Sequence, residues 1–159
     1  MRIDGTNPGS DESFGYEAPG LTASILDAIA DLDFSDERIR EIIDQLDVSA
    51  DTKSAVYALS RVTVRAGQIV VRIGRKILDV IVKLFKEYPN AGFGAIFGAI
   101  VGYIISTIPG FGQIVAPLVT PIFIGLGLII GAISDIRDSN LARKIAEANQ
   151  QFSAFGAGE

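Results

Sequence analysis

An uncharged and strongly apolar run dominates the hydropathy pattern of this chain. From Asn90 to Ser134, 45 consecutive residues carry no formal charge, whereas a helix needs only about 20 apolar residues to cross the hydrocarbon of a bilayer. Pro109-Gly110 near the middle indicates a turn, because proline fixes φ and glycine allows a positive φ. The pattern therefore predicts a transmembrane helical hairpin with arms at 91–108 and 114–133.

The alternative is a hairpin that is buried whole inside a protein core. We favour the membrane, because only about 110 other residues are present and few of them look amphipathic enough to cover the run.

The segments that precede the run are expected to be helical. Residues 21–48 repeat apolar positions at spacings of three and four and form a small acidic helical segment, with Ser35 as an N-cap. Residues 51–88 repeat polar side chains at a period of about 3.5, which predicts one long amphipathic helix with a basic stripe. The stripe comprises Arg61, Arg65, Arg72, Arg75, Lys76, Lys83 and Lys86. The β-branched residues and the alternation from Arg61 to Arg65 also suit an alternative, a short hairpin of strands that turns at Ala66-Gly67.

Both ends of the chain are predicted to be flexible. Residues 1–20 are rich in glycine, proline and acids and too poor in aliphatic side chains to offset the entropy of ordering. Residues 135–159 continue as a helix and a tail, in which Phe152 and Phe155 either dock or, as we favour, fray. The predicted fold class is all-α: a membrane protein with a transmembrane hairpin, a basic amphipathic helix and short acidic helices. Its segments are 1–20, 21–48, 51–88, 90–134 and 135–159.

Charge is distributed unevenly along the chain. The net charge of −5 combines thirteen acids and three bases in residues 1–51, a net −10, with eight bases and two acids in 52–88, a net +6. Basic residues flank the uncharged run on both sides, so the positive-inside rule predicts that both termini face the cytoplasm. The basic stripe is expected to face anionic lipid headgroups or, in an oligomer, the axis of a channel.

Glycines and prolines differ between the two arms of the hairpin. Glycines spaced by four predict a seam of close helix contact, which either builds a homo-oligomer or packs the two arms together. The seam consists of Gly94, Gly98, Gly102, Gly127 and Gly131. In the second arm two prolines lack the N–H that a helix needs, which predicts an irregular segment that could line a pore. The candidate pore or gate residues are Gln113, Thr120, Pro117, Pro121, Ser106 and Thr107.

Catalytic and metal-binding chemistry has few candidate residues in this sequence. The chain contains no His and no Cys, which removes the usual neutral-pH base and the thiolate ligands. The alternating oxygens of Asp31, Asp33, Ser35 and Glu37 do not continue as a calcium loop, which requires a Gly at its sixth position and a Glu at its twelfth. We therefore predict no enzyme, no cofactor, no metal site and no nucleic-acid partner.

A hydrophobic hairpin preceded by amphipathic helices, over residues 51–138, resembles pore-forming colicin domains. It is also similar to the two-span channel effectors of antiphage abortive-infection systems. The resemblance is one of architecture and assigns no residue a role. It implies a homo-oligomeric channel or pore-former that depolarises the inner membrane when triggered, with lipids and further copies of the chain as partners. The alternatives are a non-conducting membrane anchor, scaffold or holin-like protein, and a soluble packed domain.

Overall fold

Four β-strands and seven α-helices make up the part of the chain that the computed structural model describes, namely residues 1–6, 13–108, 110–127, 136 and 138–156. In chain order they are β1 (Arg2–Thr6), β2 (Ser13–Glu17), α1 (Ala23–Ala30), α2 (Asp36–Asp44), α3 (Ala50–Leu59), β3 (Thr63–Ala66), β4 (Ile69–Val71), α4 (Ile73–Glu87), α5 (Phe93–Thr107), α6 (Phe111–Gly125) and α7 (Ser139–Ser153), with a 3₁₀ turn at Pro89–Ala91 before α5. The prediction of an all-α fold is therefore wrong, and the chain is a mixed α/β protein.

The four strands form one antiparallel sheet in the order β2-β1-β3-β4. β1 lies between β2 and β3, so that Ile3 pairs with Tyr16 on one side and with Ala66 on the other. The side chain of Ile3 is completely buried. Residues 1–20, which the composition predicts to be a flexible tail, thus include two strands, one of which is central to the sheet.

The segment predicted as one basic helix over 51–88 consists instead of α3, β3, β4 and α4. The alternative of a strand hairpin is confirmed, and Gly67 at its turn has a φ of +64°, which glycine adopts without steric cost. Arg61 and Arg65 are four residues apart, a spacing that fits both a helical turn of about 3.6 residues and a strand period of 2. Their spacing therefore could not distinguish a helix from a strand.

The described part of the uncharged run contains α5 and α6, which are packed against other helices. α5 contacts α4 and α7, and α6 contacts α3; Phe97, Ile100 and Ile104 of α5 are completely buried. Each of the two helices has 15 residues, or about 22 Å of length, against a hydrocarbon thickness of about 30 Å. No helix within the described ranges is long and apolar enough to cross a membrane.

The predicted transmembrane hairpin, the channel built from it and the inner-membrane location are therefore corrected. The sequence did contain enough amphipathic surface to cover the run. The wide apolar face of α4 packs against α5 rather than against lipid, and α3 and α7 cover further parts of the two helices.

The C-terminal residues dock onto the rest of the protein. Phe152 and Phe155 are completely buried, and the hydroxyl of Tyr16 in β2 donates a hydrogen bond to the carbonyl of Phe155. Of the two outcomes considered for these phenylalanines, the structure shows docking, which joins α7 to an edge strand of the sheet.

Candidate functional site

The basic stripe divides into two clusters once the chain is folded. The residues of one cluster line a cavity of about 200 Å³, which lies between α2, the end of α3 and the start of α4. We call it the arginine pocket, and its lining residues are Asp36, Ile39, Arg40, Tyr57, Ser60, Arg61, Arg72, Arg75 and Leu78. The other cluster, the lysine cleft, runs between α4 and α7 and contains Lys76, Lys83 and Lys144. Of the remaining stripe residues, Arg65 is exposed on β3, and the ammonium of Lys86 lies 5.9 Å from the ring centre of Phe34.

Two arginines in the pocket share one carboxylate. Ser35 caps α2 as predicted, with its hydroxyl accepting the N–H of Arg38 at 3.1 Å, and this cap places Asp36 at the first helical position. The Oδ1 of Asp36 accepts the Nε–H of Arg75 at 2.8 Å and lies 3.4 Å from Nη2 of Arg72. Arg40 and Arg61 also line the cavity, so its lining combines four arginines with the carboxylate of Asp36.

A second carboxylate, which is buried, also contacts Arg75. Only 2 % of Arg75 is exposed, and its Nη1 lies 3.4 Å from the Oδ1 of Asp79, which is completely buried. Asp79 also accepts the backbone N–H groups of Asp33 and Phe34, each at 3.0 Å. Arg75 further donates to the carbonyl of Phe34. A guanidinium has five N–H donors, so two of them have no acceptor among the described residues.

Two ionisable side chains that line the pocket have shifted pKa values. The hydrogen bond from Arg75, together with the charge of Arg72, lowers the pKa of Asp36 below its usual value, so this carboxyl is ionised. Burial, followed by the hydrogen bond that its hydroxyl donates to Asp44, raises the pKa of Tyr57 to about 12. The guanidinium of Arg40 lies 5.7 Å from the ring centre of Tyr57, within the range of a cation–π contact.

The positive charges of the lysine cleft have partners within the protein. Its ammonium groups each have a partner: Lys83 lies 3.1 Å from a carboxylate oxygen of Asp33, Lys76 donates to the carbonyl of Asp31 at 2.7 Å, and Lys144 pairs with Glu87. The hydrogen bond to Glu87 raises the pKa of Lys144. These pairs attach α4 to its neighbours, and the cleft offers less unmatched positive charge than the arginine pocket.

The predicted seam and gate residues lie away from both clusters. Gly94, Gly98 and Gly102 are in α5, and Gly127 follows α6 with a φ of +72°; Gly131 is outside the described residues. A Cβ added at Gly102 would meet nothing within 4 Å. Ser106 and Thr107 end α5.

α6 continues through its two prolines, where the sequence predicted an irregular segment. Pro117 and Pro121 are exposed, Thr120 is half-buried and Gln113 lies in the first turn of the helix. Ile124 follows on the exposed face and is 73 % exposed. Pro117, Pro121 and Ile124 therefore share an exposed surface of α6.

Several residues of the arginine pocket were missed by the sequence reasoning. Arg40 and Asp36 lie in the acidic segment and Tyr57 in the segment preceding the basic stripe, and no local pattern connects them with Arg75. The one available indication was Asp79, an acid in the middle of α4, where the charged residues from Arg75 to Lys86 are otherwise basic. An acid in that setting indicates a buried partner for one of the bases.

Comparison of the chain with protein-family models, with curated proteins and with solved structures finds no match. Within the described ranges, no group of three or more His, Cys, Asp or Glu residues is placed to hold a metal ion.

Proposed function

We propose that this protein is a binding protein for a small phosphate-bearing ligand, which it holds in the arginine pocket. The observation that carries the proposal is the convergence of Arg40, Arg61, Arg72 and Arg75 on one cavity that contains the single carboxylate of Asp36. A guanidinium presents its N–H donors in a planar fork that matches the oxygens of phosphate and carboxylate groups. The pocket therefore offers both the charge and the hydrogen-bond donors that an oxyanion needs.

The backbone adds to the positive potential of the pocket. Arg72 is the N-cap of α4 and Arg75 is its third residue, so the cavity lies at the N-terminal end of a 15-residue helix. The dipole of a helix places partial positive charge at this end, where anions are stabilised. Arg75 is also oriented before a ligand arrives, because Asp79 and the carbonyl of Phe34 hold its guanidinium.

The same groups favour binding over catalysis. A general base must be able to accept a proton near neutral pH. The carboxylate of Asp36 is a poor acceptor, because its bonds to Arg75 and Arg72 lower its pKa. Tyr57 keeps its proton, because its pKa is raised to about 12. The pocket thus provides donors to a bound anion and no group suited to transfer a proton. The homo-oligomer predicted from the glycine spacing stays a prediction.

The proposal is tested by titrating the full chain with inorganic phosphate in a calorimeter at an ionic strength of about 0.1 M, where the Debye length is about 10 Å. Arg61→Gln removes one charged donor from the pocket, and a hydrogen bond to a charged group contributes about 1.5–3 kcal/mol. We expect this variant to lose about tenfold or more in affinity.

Arg65→Gln is the matched control, since it makes the same change of charge on an exposed β3 residue that does not line the pocket. We expect its affinity to stay within about twofold of the wild type, because exposed and distant charges are screened by salt. The proposal fails if the wild-type chain binds no phosphate, or if the two variants weaken binding equally.

A further inference from the structure

We infer that the arginine pocket selects dianionic phosphomonoesters over carboxylates and other monoanions, and that Asp36 is the residue that determines this selectivity. The inference rests on the proposed function and names the chemical class of its ligand.

Asp36 acts as a tethered competitor for any singly charged ligand. Its carboxylate already occupies the Nε of Arg75 at 2.8 Å and faces Arg72. A carboxylate from solution would bring the same charge and the same two oxygens to the same donors. A group tethered by a short link has an effective concentration in the millimolar range, so a free monoanion at lower concentration does not displace it.

A phosphomonoester carries more negative charge and more acceptor oxygens than the carboxylate of Asp36. It carries a charge of about −1.5 to −2 at pH 7 and three terminal oxygens. The four arginines and Asp36 that line the cavity leave a net charge of +3. A dianion gains about twice the electrostatic attraction of a monoanion in this field. Its three oxygens can also accept hydrogen bonds from Arg40, Arg61 and Arg72 while Asp36 stays bound to Arg75.

Two groups that line the cavity have shifted pKa values and keep one charge state over the pH range of an experiment. The hydrogen bond from Arg75 holds the pKa of Asp36 below its usual value, and burial raises the pKa of Tyr57 to about 12. Between about pH 5.5 and pH 7.5 the group that changes charge is therefore the ligand, whose second pKa is about 6. Affinity for a phosphomonoester should rise with pH over this interval as its dianion forms.

The test compares Asp36→Asn with the wild type, using three probes of similar size: N-acetyl-phosphoserine amide, N-acetyl-aspartate amide and N-acetyl-serine amide. We expect the wild-type chain to prefer the phosphoserine probe to the aspartate probe by about tenfold or more, given the stronger charge-assisted hydrogen bonds. The serine probe should not bind. In Asp36→Asn, Arg72 and Arg75 lose their internal carboxylate, so the aspartate probe should gain affinity and the preference should fall to about threefold or less. Inorganic phosphate separates two sources of the same chemistry: equal affinity for it indicates a free phosphate compound, and tighter binding of the phosphoserine probe indicates a phosphorylated protein segment.

Glu37→Gln is the matched control. It removes one negative charge from the residue next to Asp36 in the first turn of α2, outside the arginine pocket, and should leave the preference unchanged. A preference that is the same in Asp36→Asn as in the wild type overturns the inference while the proposed function stands, provided that phosphate binding still depends on Arg61. Equal wild-type affinity for the phosphoserine and aspartate probes also overturns it. Absence of phosphate binding to the wild type overturns both.

Discussion

Replacing Asp79 by alanine should destabilise this protein severely, because one buried carboxylate holds three partners. The side chain is completely buried. It accepts the N–H groups of Asp33 and Phe34 at 3.0 Å each and lies 3.4 Å from Nη1 of Arg75. Breaking a buried ion pair by removing one partner costs about 3–5 kcal/mol, and an unsatisfied buried N–H costs about 1–3 kcal/mol. These contributions overlap, since the loop can relax toward water, so we expect a loss of about 3–5 kcal/mol.

The free energy of unfolding would be measured by urea titration followed by circular dichroism. Domains of this size are stable by about 5–15 kcal/mol, so the expected loss is a large part of the total. Asp79→Asn keeps one acceptor oxygen and should fall between the alanine variant and the wild type. Hydrogen exchange at the amides of Asp33 and Phe34 should accelerate in Asp79→Ala, because both N–H groups lose their acceptor, and at one of the two amides in Asp79→Asn.

An exposed ion pair provides the comparison. Lys83 lies 3.1 Å from Asp33, and both side chains are more than half exposed. Lys83→Gln should therefore cost less than about 1 kcal/mol. The reasoning is refuted if Asp79→Ala costs no more than Lys83→Gln, or if the amides of the 33–34 loop exchange at the wild-type rate.

Two further predictions concern glycine packing and acid stability. A Cβ at Gly74 would lie 1.9 Å from the backbone oxygen of Leu59, so Gly74→Ala should cost about 1–3 kcal/mol in urea unfolding. A Cβ at Gly102 would meet no atom within 4 Å, so Gly102→Ala should stabilise α5 by about 0.5–1 kcal/mol. If this variant is instead destabilised and its oligomer size changes in light scattering, the result would favour the predicted glycine seam. The pKa of Asp36 is lower in the folded chain than in the unfolded one. Its contribution to stability is therefore present above the unfolded pKa of about 3.9 and is lost as the pH falls through the folded pKa. Thermal melts of Asp36→Asn should show a shallower loss of stability than the wild type below about pH 4, and parallel acid limbs would contradict this reasoning.

Local parts of the fold could be predicted from the sequence, and non-local parts could not. The N-cap at Ser35 and the turn at Gly67 depend on residues within a few positions of each other, so the local pattern contains them. The strand β1 depends on pairing between Ile3 and Ala66, and three helices separate these two residues along the sequence. Its five residues include a glycine and two charged side chains, so their composition alone indicates a flexible segment.

The burial of the uncharged run has a related explanation. A bilayer and a protein core are both apolar, so the composition of α5 and α6 satisfies either environment. The difference lies in what covers the helices, which is decided by tertiary contacts with α3, α4 and α7.

The candidate site is non-local in the same sense. Asp36 and Arg75 are 39 positions apart and belong to helices whose packing joins them. The sequence did identify Arg61, Arg72 and Arg75 as members of one basic group, because their charges stand out between apolar neighbours. It could not show that Arg40 from an acidic helix completes the pocket, since that requires the angle at which α2 meets α4.

The central place of β1 in the sheet has a consequence for synthesis of the chain. Ile3 leaves the ribosome 63 positions before Ala66, its partner in β3. At about 5–20 residues per second, β1 waits roughly 3–13 s before β3 can pair with it. During that interval the edge of β1 that β3 will cover has unpaired backbone groups, which other nascent chains can pair with. Slow translation between α1 and β3 would lengthen this exposure, and a cell that produces the protein in quantity would benefit from a chaperone that binds the emerging strands.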